Sequence, residues 1–325
     1  MRLLKTIFVL ILVAGFAVAF LLFTPYGPRN ETFVDIPPGR GTAGIGTQLQ
    51  EAGVLRSGFE LAALRVWRGG TLKAGEYRFD HPATPLEVYE RLRRGDVYTV
   101  SLVVPEGYNI FDIAAAVQAA GLGSKERFLA AERQHVELIA EWSPKAASLE
   151  GFLFPDTYRF SRHATPVQML EAMVKRFGQV ADRVGMAPSE AERAVTLASL
   201  VEREVHVNGE RATVAGVFEN RLRAGMPLQT DPAVIYASML RGTWTGTIHQ
   251  SELHSDSPYN TYTHPGLPPG PICNPGTAAL EAAIHPTRTD FLYFVANPDG
   301  STHFARELAE HQANVAAYRA GTHQK

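Results

Sequence analysis

The stretch IPPGRGTAGIGTQLQEAGV, residues 36–54, returns at a constant offset as VPEGYNIFDIAAAVQAAGL, residues 104–122. Pro37 and Gly39 fall on Pro105 and Gly107, Ile45 on Ile113, Leu49 on Val117, and Ala52-Gly53 on Ala120-Gly121. Downstream, YRFDHPATPLEVYERL (77–92) matches YRFSRHATPVQMLEAM (158–173), repeating Tyr-Arg-Phe and Ala-Thr-Pro. The chain therefore uses one unit twice.

Each copy opens with an apolar strand signal that ends in a Pro-x-Gly turn, followed by apolar positions at helical spacing such as Ile113, Val117 and Ala120. A short extended segment around Tyr77 or Tyr158 comes next. A second helix is then entered through Thr-Pro, with Thr84 or Thr165 able to cap and Pro85 or Pro166 at the first helical position. This is a small α+β module, placed at residues 33–97 and again at 98–178. Two strands flanking helices resemble the LysM-like module of glycan-binding proteins, and a purely structural duplication is the alternative.

Ahead of the first copy, MRLLKTIFVLILVAGFAVAFLLFTPYGPRN carries Arg2 and Lys5 and then an uncharged run from Thr6 to Phe23. That run is close to the ~20 residues that an α-helix needs to cross a bilayer. The small-residue triplet Ala17-Val18-Ala19 lies inside the apolar run, which favours an uncleaved transmembrane anchor (6–24) over a signal peptide. Arg2 and Lys5 then keep residues 1–5 cytoplasmic and send the rest outward, as a single-pass protein of the inner membrane with a periplasmic or extracytoplasmic body.

Hydrophobic residues make up 45% of the 325, enough for a substantial core. Lys+Arg 31 against Asp+Glu 33 leaves a formal charge of -2, which provides no general attraction to nucleic acid. Cys273 is the single cysteine and no HExxH pair occurs, so the sequence offers neither a disulfide nor a metal centre, and no cofactor is expected.

From residue 179 the character becomes α-rich. In MAPSEAERAVTLASLVEREV, Pro188 and Ser189 with Glu192 read as a capping-box start, and Val195, Leu197, Ala198, Leu200 and Val201 make a broad apolar face. GERATVAGVFENRLRAG reads as a second helix closed by Gly225. A Pro/Gly/Tyr-rich loop, a helix in TAALEAAIHP, a strand in DFLYFVAN, a hairpin-like PDGSTHFA and a closing helix from about Arg306 follow. The expected fold class is thus α+β: an N-terminal transmembrane helix, duplicated LysM-like modules, and an α-rich domain at 179–325 with a small β element.

Two carboxylates, Glu202 and Glu204, end the apolar helix. At about 100° per residue, Glu204 falls near the line of Leu197, Leu200 and Val201, and Glu202 lies roughly 160° away. They cannot share one pocket, and periodicity alone does not choose between them. A carboxyl packed against apolar side chains has its charged form disfavoured, which suits it to donate a proton near neutral pH.

SLVEREV, VFENRLRAGMPLQTDPAVIYA, YNTYTHPGLPPGPICNPG, AAIHPT and YFVANPDGSTHFA resemble the endolytic murein transglycosylases of the MltG/YceG-like family over nearly the whole chain. The resemblance implies a lysozyme-like catalytic domain and a carbon–oxygen lyase that cuts MurNAc–GlcNAc bonds within peptidoglycan glycan strands. Such an enzyme would leave 1,6-anhydroMurNAc ends and limit nascent strand length. The implied partners are peptidoglycan synthases of elongation and division. The family's Val-x-x-Glu frame puts Val201 three before Glu204 and assigns the acid there. Val205 stands where a hydroxyl residue is common, which keeps Glu202 as the alternative.

The remaining motifs would build the groove. Gln229, Thr230 and Asp231 precede Pro232, and Asp231 is either a helix N-cap or a substrate contact. Tyr259 and Tyr262 are expected to stack on sugars while Asn260 bonds an N-acetyl or hydroxyl group. His285 and His303 are read as structural. Two competing readings stand beside the lyase: a non-catalytic glycan-binding membrane scaffold, and a hydrolytic muramidase with Asp231 as second carboxylate.

Overall fold

The computed structural model describes residues 2–205, 209–296 and 302–322. The chain divides into two compact units after Val100.

The first unit begins with α1 (Arg2–Phe23), whose 22 residues are about 33 Å long at 1.5 Å per residue, close to the ~30 Å of a hydrocarbon core. Its stretch Lys5–Phe23 is long and apolar enough to cross a membrane. Then come β1 (Thr32–Ile36), α2 (Thr42–Glu51), α3 (Gly58–Arg68), β2 (Gly75–Phe79) and α4 (Pro85–Arg94). β1 and β2 pair antiparallel, from Thr32 opposite Phe79 to Ile36 opposite Gly75. Their inward residues Val34, Ile36, Tyr77 and Phe79 join Ile45, Leu49, Leu61, Leu64, Val88, Tyr89 and Leu92 in one core. A Cβ on Gly46 would lie 2.7 Å from the Gly58 carbonyl oxygen, so bare backbone is what lets α2 and α3 approach so closely.

The second unit opens with β3 (Val100–Val103), α5 (Ile110–Ala119), α6 (Lys125–Gln134), a 3-10 turn at Val136–Ile139, β4 (Thr157–Phe160) and α7 (Pro166–Val184). β3 pairs with β4. Both copies of the sequence repeat thus run strand, helix, helix, strand, helix. Gly39 and Gly107 turn at φ of 81° and 79°, and Gly53 and Gly121 at 69° and 72°. The hydroxyl of Tyr77 donates to the Lys73 carbonyl and that of Tyr158 to the Phe154 carbonyl, the same step of four residues. Thr84 with Glu87 and Thr165 with Gln168 close equivalent capping boxes, each behind a proline at the first turn.

α7 continues without a break through residues 178 and 179, where the sequence suggested a domain boundary; it ends at Gly185 in the left-handed region. It is followed by α8 (Pro188–Glu204), α9 (Arg211–Arg223), α10 (Asp231–Arg241), α11 (Gln250–Leu253), α12 (Thr277–Ile284), β5 (Tyr293–Ala296), β6 (Thr302–Ala305) and α13 (Leu308–Thr322). α8 is the core helix: Ala191 and every residue from Ala194 to Val201 are buried, and it packs on α12, α9 and α10. The capping box expected at Ser189 does not form. Pro188 is the first helical residue behind Ala187, so Ser189 already lies inside the helix, where its hydroxyl cannot cap. β5 and β6 pair antiparallel, Tyr293 opposite Ala305 and Ala296 opposite Thr302. The hairpin turn expected at residues 298–301 lies outside the described residues.

Candidate active site

Glu204 is the last residue of α8, after which Val205 turns to extended backbone. A helix buried on all sides from Ala194 to Val201 delivers its final side chain to the wall of a cleft. The cleft holds about 270 Å³ and is lined by Glu204, Arg221, Leu228, Gln229, Thr230, Tyr262, Phe294 and His311. Burial first, then the negative charge of Asp231, push the Glu204 carboxyl up to about 7, while Arg221 and Arg203 pull it down. Such a carboxyl holds a proton at neutral pH and can still give it up.

Arg221 is buried on α9, and its guanidinium is held by backbone. Nε donates to the Leu292 carbonyl at 2.7 Å and Nη1 to the Leu228 carbonyl at 2.8 Å, and the group lies over the Tyr293 ring. Burial lowers its affinity for a proton, but a guanidinium stays charged in proteins. It therefore places a fixed positive charge beside Glu204. His311 of α13 stacks on Tyr293 with centroids 5.2 Å apart. Burial and the nearby Arg221 lower its pKa, and its Nδ1 has no hydrogen-bond partner among the described residues.

The segment before α10 forms the opposite wall. Gln229 is the one non-glycine residue with positive φ among the described residues, at 55°, a conformation L side chains adopt at a cost. Its N–H donates to the Thr261 carbonyl at 3.0 Å, and the Thr230 N–H donates to the Thr261 hydroxyl at 2.9 Å. These bonds tie the 227–231 segment to the Pro/Gly/Tyr loop and hold Gln229 in the strained turn. Thr230, not Asp231, occupies the N-cap position of α10, and it makes no side-chain cap. Asp231 sits one residue further on, inside the helix, and accepts the Tyr262 hydroxyl at 2.6 Å. Burial, then the bond to Asp231, raise the Tyr262 pKa, so the phenol keeps its proton.

The cleft thus brings together Glu204, Gln229, Thr230 and Tyr262, with Asp231 bonded to Tyr262. Three other candidates lie elsewhere. Glu202 accepts the Gly276 N–H at 3.0 Å and an Arg211 N–H at 3.4 Å. Its carboxylate anchors the start of α12 rather than facing the cleft. Asn260 is fully buried; its amide donates to the Ser255, Leu253 and Glu252 carbonyls and its oxygen accepts the Tyr262 N–H. It shapes the loop that presents Tyr262. Tyr259 packs edge-on against Tyr236 at 5.3 Å, and burial followed by the charge of Glu150 push its hydroxyl up to about 12. Its ring is occupied by protein. Arg221, Phe294 and His311 carried no chemical signal in the sequence, since only the packing of α9, β5 and α13 around the end of α8 assembles them.

The YceG-like family model matches residues 34–317. An endolytic murein transglycosylase of Bacillus subtilis (strain 168) is 31% identical over 338 residues, spanning 97% of this chain and 93% of that protein. Another from Streptococcus pneumoniae serotype 2 is 31% identical over 323 residues, spanning 89% of this chain and 59% of the relative. A crystal structure of a YceG-like protein from Listeria monocytogenes matches 88% of this chain and 99% of its own, at 31% identity and a TM-score of 0.56.

Proposed function

This chain belongs to the YceG-like family, and on that premise we propose that it is a peptidoglycan lytic transglycosylase that cuts glycan strands internally. The observation that carries the reading is the state of Glu204: a carboxyl at the end of a buried helix, raised to about 7, with a fixed guanidinium beside it.

In this reading Glu204 donates its proton to the glycosidic oxygen between MurNAc and GlcNAc as the C1–O bond breaks. The carboxylate so formed, stabilised by the Arg221 charge, then takes the proton of the MurNAc 6-hydroxyl, whose oxygen closes on C1. One bond breaks, one forms, the proton returns to the enzyme, and no water is consumed. Asp231, held by the Tyr262 hydroxyl, supplies negative charge for the oxocarbenium-like transition state. The two strand–helix–helix–strand copies serve as LysM-like glycan-binding modules. α1 is the membrane anchor, with its N-terminus cytoplasmic and the body of the chain outside, where cleavage would limit nascent strand length beside peptidoglycan synthases.

The electrostatic coupling of Glu204 to Asp231 favours one second reading, hydrolysis with Asp231 as the other carboxylate. Mass analysis of products from purified glycan strands separates the two. Anhydro ends, one water lighter, support the lyase, and reducing ends support the hydrolase.

A further inference from the structure

α3 is apolar on two faces. Leu61 and Leu64 are buried in the core of the first unit, with 0% exposure. On the outward side Phe59, Ala62, Ala63 and Val66 recur at the spacing of a single helical stripe, and Trp67 adjoins it. Phe59 is 73% exposed, Val66 89% and Trp67 58%. A stripe of this kind gains nothing from facing water.

Both ends of α3 reach the last turn of α1. Arg56, two residues before the helix, donates to the Leu21 and Thr24 carbonyls, each at 3.3 Å, and to the Pro25 carbonyl at 3.2 Å. It thereby satisfies carbonyls that the end of α1 leaves without helical partners. At the other end the Trp67 ring meets Phe23 edge-on at 6.4 Å, and Leu22 is buried in the core of the same unit. α3 therefore lies across the point where α1 finishes. Aromatic rings gather at that level: Phe23, Tyr26 under the Arg56 guanidinium at 4.8 Å, and Trp67 under that of Arg68 at 4.9 Å. Aromatic rings with arginines beside them suit the boundary between acyl chains and headgroups.

We propose that the outward face of α3, formed by Phe59, Val66 and Trp67, docks into the interfacial layer of the bilayer that α1 crosses, holding the first unit against the membrane surface. The inference rests on α1 being a membrane anchor. α3 then lies in the interface as a second, in-plane contact beside the α1 span.

The test uses the full chain in phosphatidylcholine–phosphatidylglycerol vesicles, with and without lipids brominated near the top of the acyl chain. Flotation reports whether α1 inserts, and the difference in emission between the native chain and Trp67→Phe isolates Trp67. The expected result is that the chain floats and Trp67 emission is lost to the bromines. The Phe59→Asp/Val66→Asp double variant should still float, but regain that emission. A floating chain whose Trp67 emission is the same in both lipids overturns the proposal and assigns the stripe to a protein partner. Quenching that the double variant leaves unchanged also overturns it, since Trp67 would then be near lipid only because α1 is. Failure to float strikes at the anchor itself.

Discussion

The Tyr262 hydroxyl donates to Asp231 Oδ1 at 2.6 Å, bridging the Pro/Gly/Tyr loop to the first turn of α10. Asp231 is in turn the largest charged contributor, after burial, to the raised pKa of Glu204. The phenol therefore acts on the proposed acid through the carboxylate it holds.

Asp231→Asn keeps the shape of that carboxyl and removes its charge. Glu204 then loses the repulsion that helps hold its proton, so its pKa falls below about 7. The protonated fraction drops, and the alkaline limb of the kcat–pH profile moves to lower pH. Moving that limb by about one pH unit corresponds to about 1.4 kcal/mol between the two protonation states. A limb that stays in place would remove Asp231 from the electrostatics of the acid.

Gln229 tests the strain in the cleft wall. Gln229→Gly relieves a left-handed conformation costing roughly 1–2 kcal/mol, partly offset by the greater freedom of glycine in the unfolded chain. Stability to urea is expected to rise or hold while cleavage slows, because the Gln229 side chain lines the cleft. Gln229→Val should lower stability, since a β-branched residue fits that φ poorly. A stabilised Val variant would contradict the strain argument.

Glu150 is a buried carboxyl outside the cleft. Its oxygens accept the Ile110 N–H at 3.0 Å and the Asn274 amide at 2.8 Å, and burial pushes its pKa up to about 8. The folded chain then keeps this proton between about pH 4.5 and 8, where the unfolded chain releases it. Stability from this group is full below the unfolded value and falls as pH rises through that window. Glu150→Gln should flatten that part of the stability–pH curve at little cost in stability. Glu150→Ala, which leaves buried donors unpaired, should cost roughly 1–3 kcal/mol. Denaturant unfolding at about pH 4 and about pH 8.5, on either side of that window, checks both.

What could be read from the sequence was local. The duplication rests on turn glycines, Tyr-Arg-Phe strands and Thr-Pro helix starts, each of which carries its own geometry within a few residues. The opposed directions of Glu202 and Glu204 followed from helical rotation alone. The errors arose where one local signal admitted two registers. At Pro188 and Pro232 a proline marks the first turn, and the cap lies two residues before Ser189 in one case and one before Asp231 in the other. Tyr259 and Asn260 sit in the same short string as Tyr262, and only the packed loop decides that Asn260 turns inward and Tyr259 meets Tyr236. Arg221, Phe294 and His311 reach Glu204 through long-range packing that no spacing announces.

The most direct test of the central claim counts anhydro ends released from purified glycan strands by the native chain, Glu204→Gln and Glu202→Gln. Gln keeps the size and hydrogen bonding of the side chain but has no titratable proton. The native chain is expected to leave anhydro ends, and Glu204→Gln almost none despite an unchanged fold. Glu202→Gln should retain substantial activity, because Glu202 is committed to Gly276 and Arg211. A Glu204→Gln variant that still releases anhydro ends at near-native rate would contradict the account.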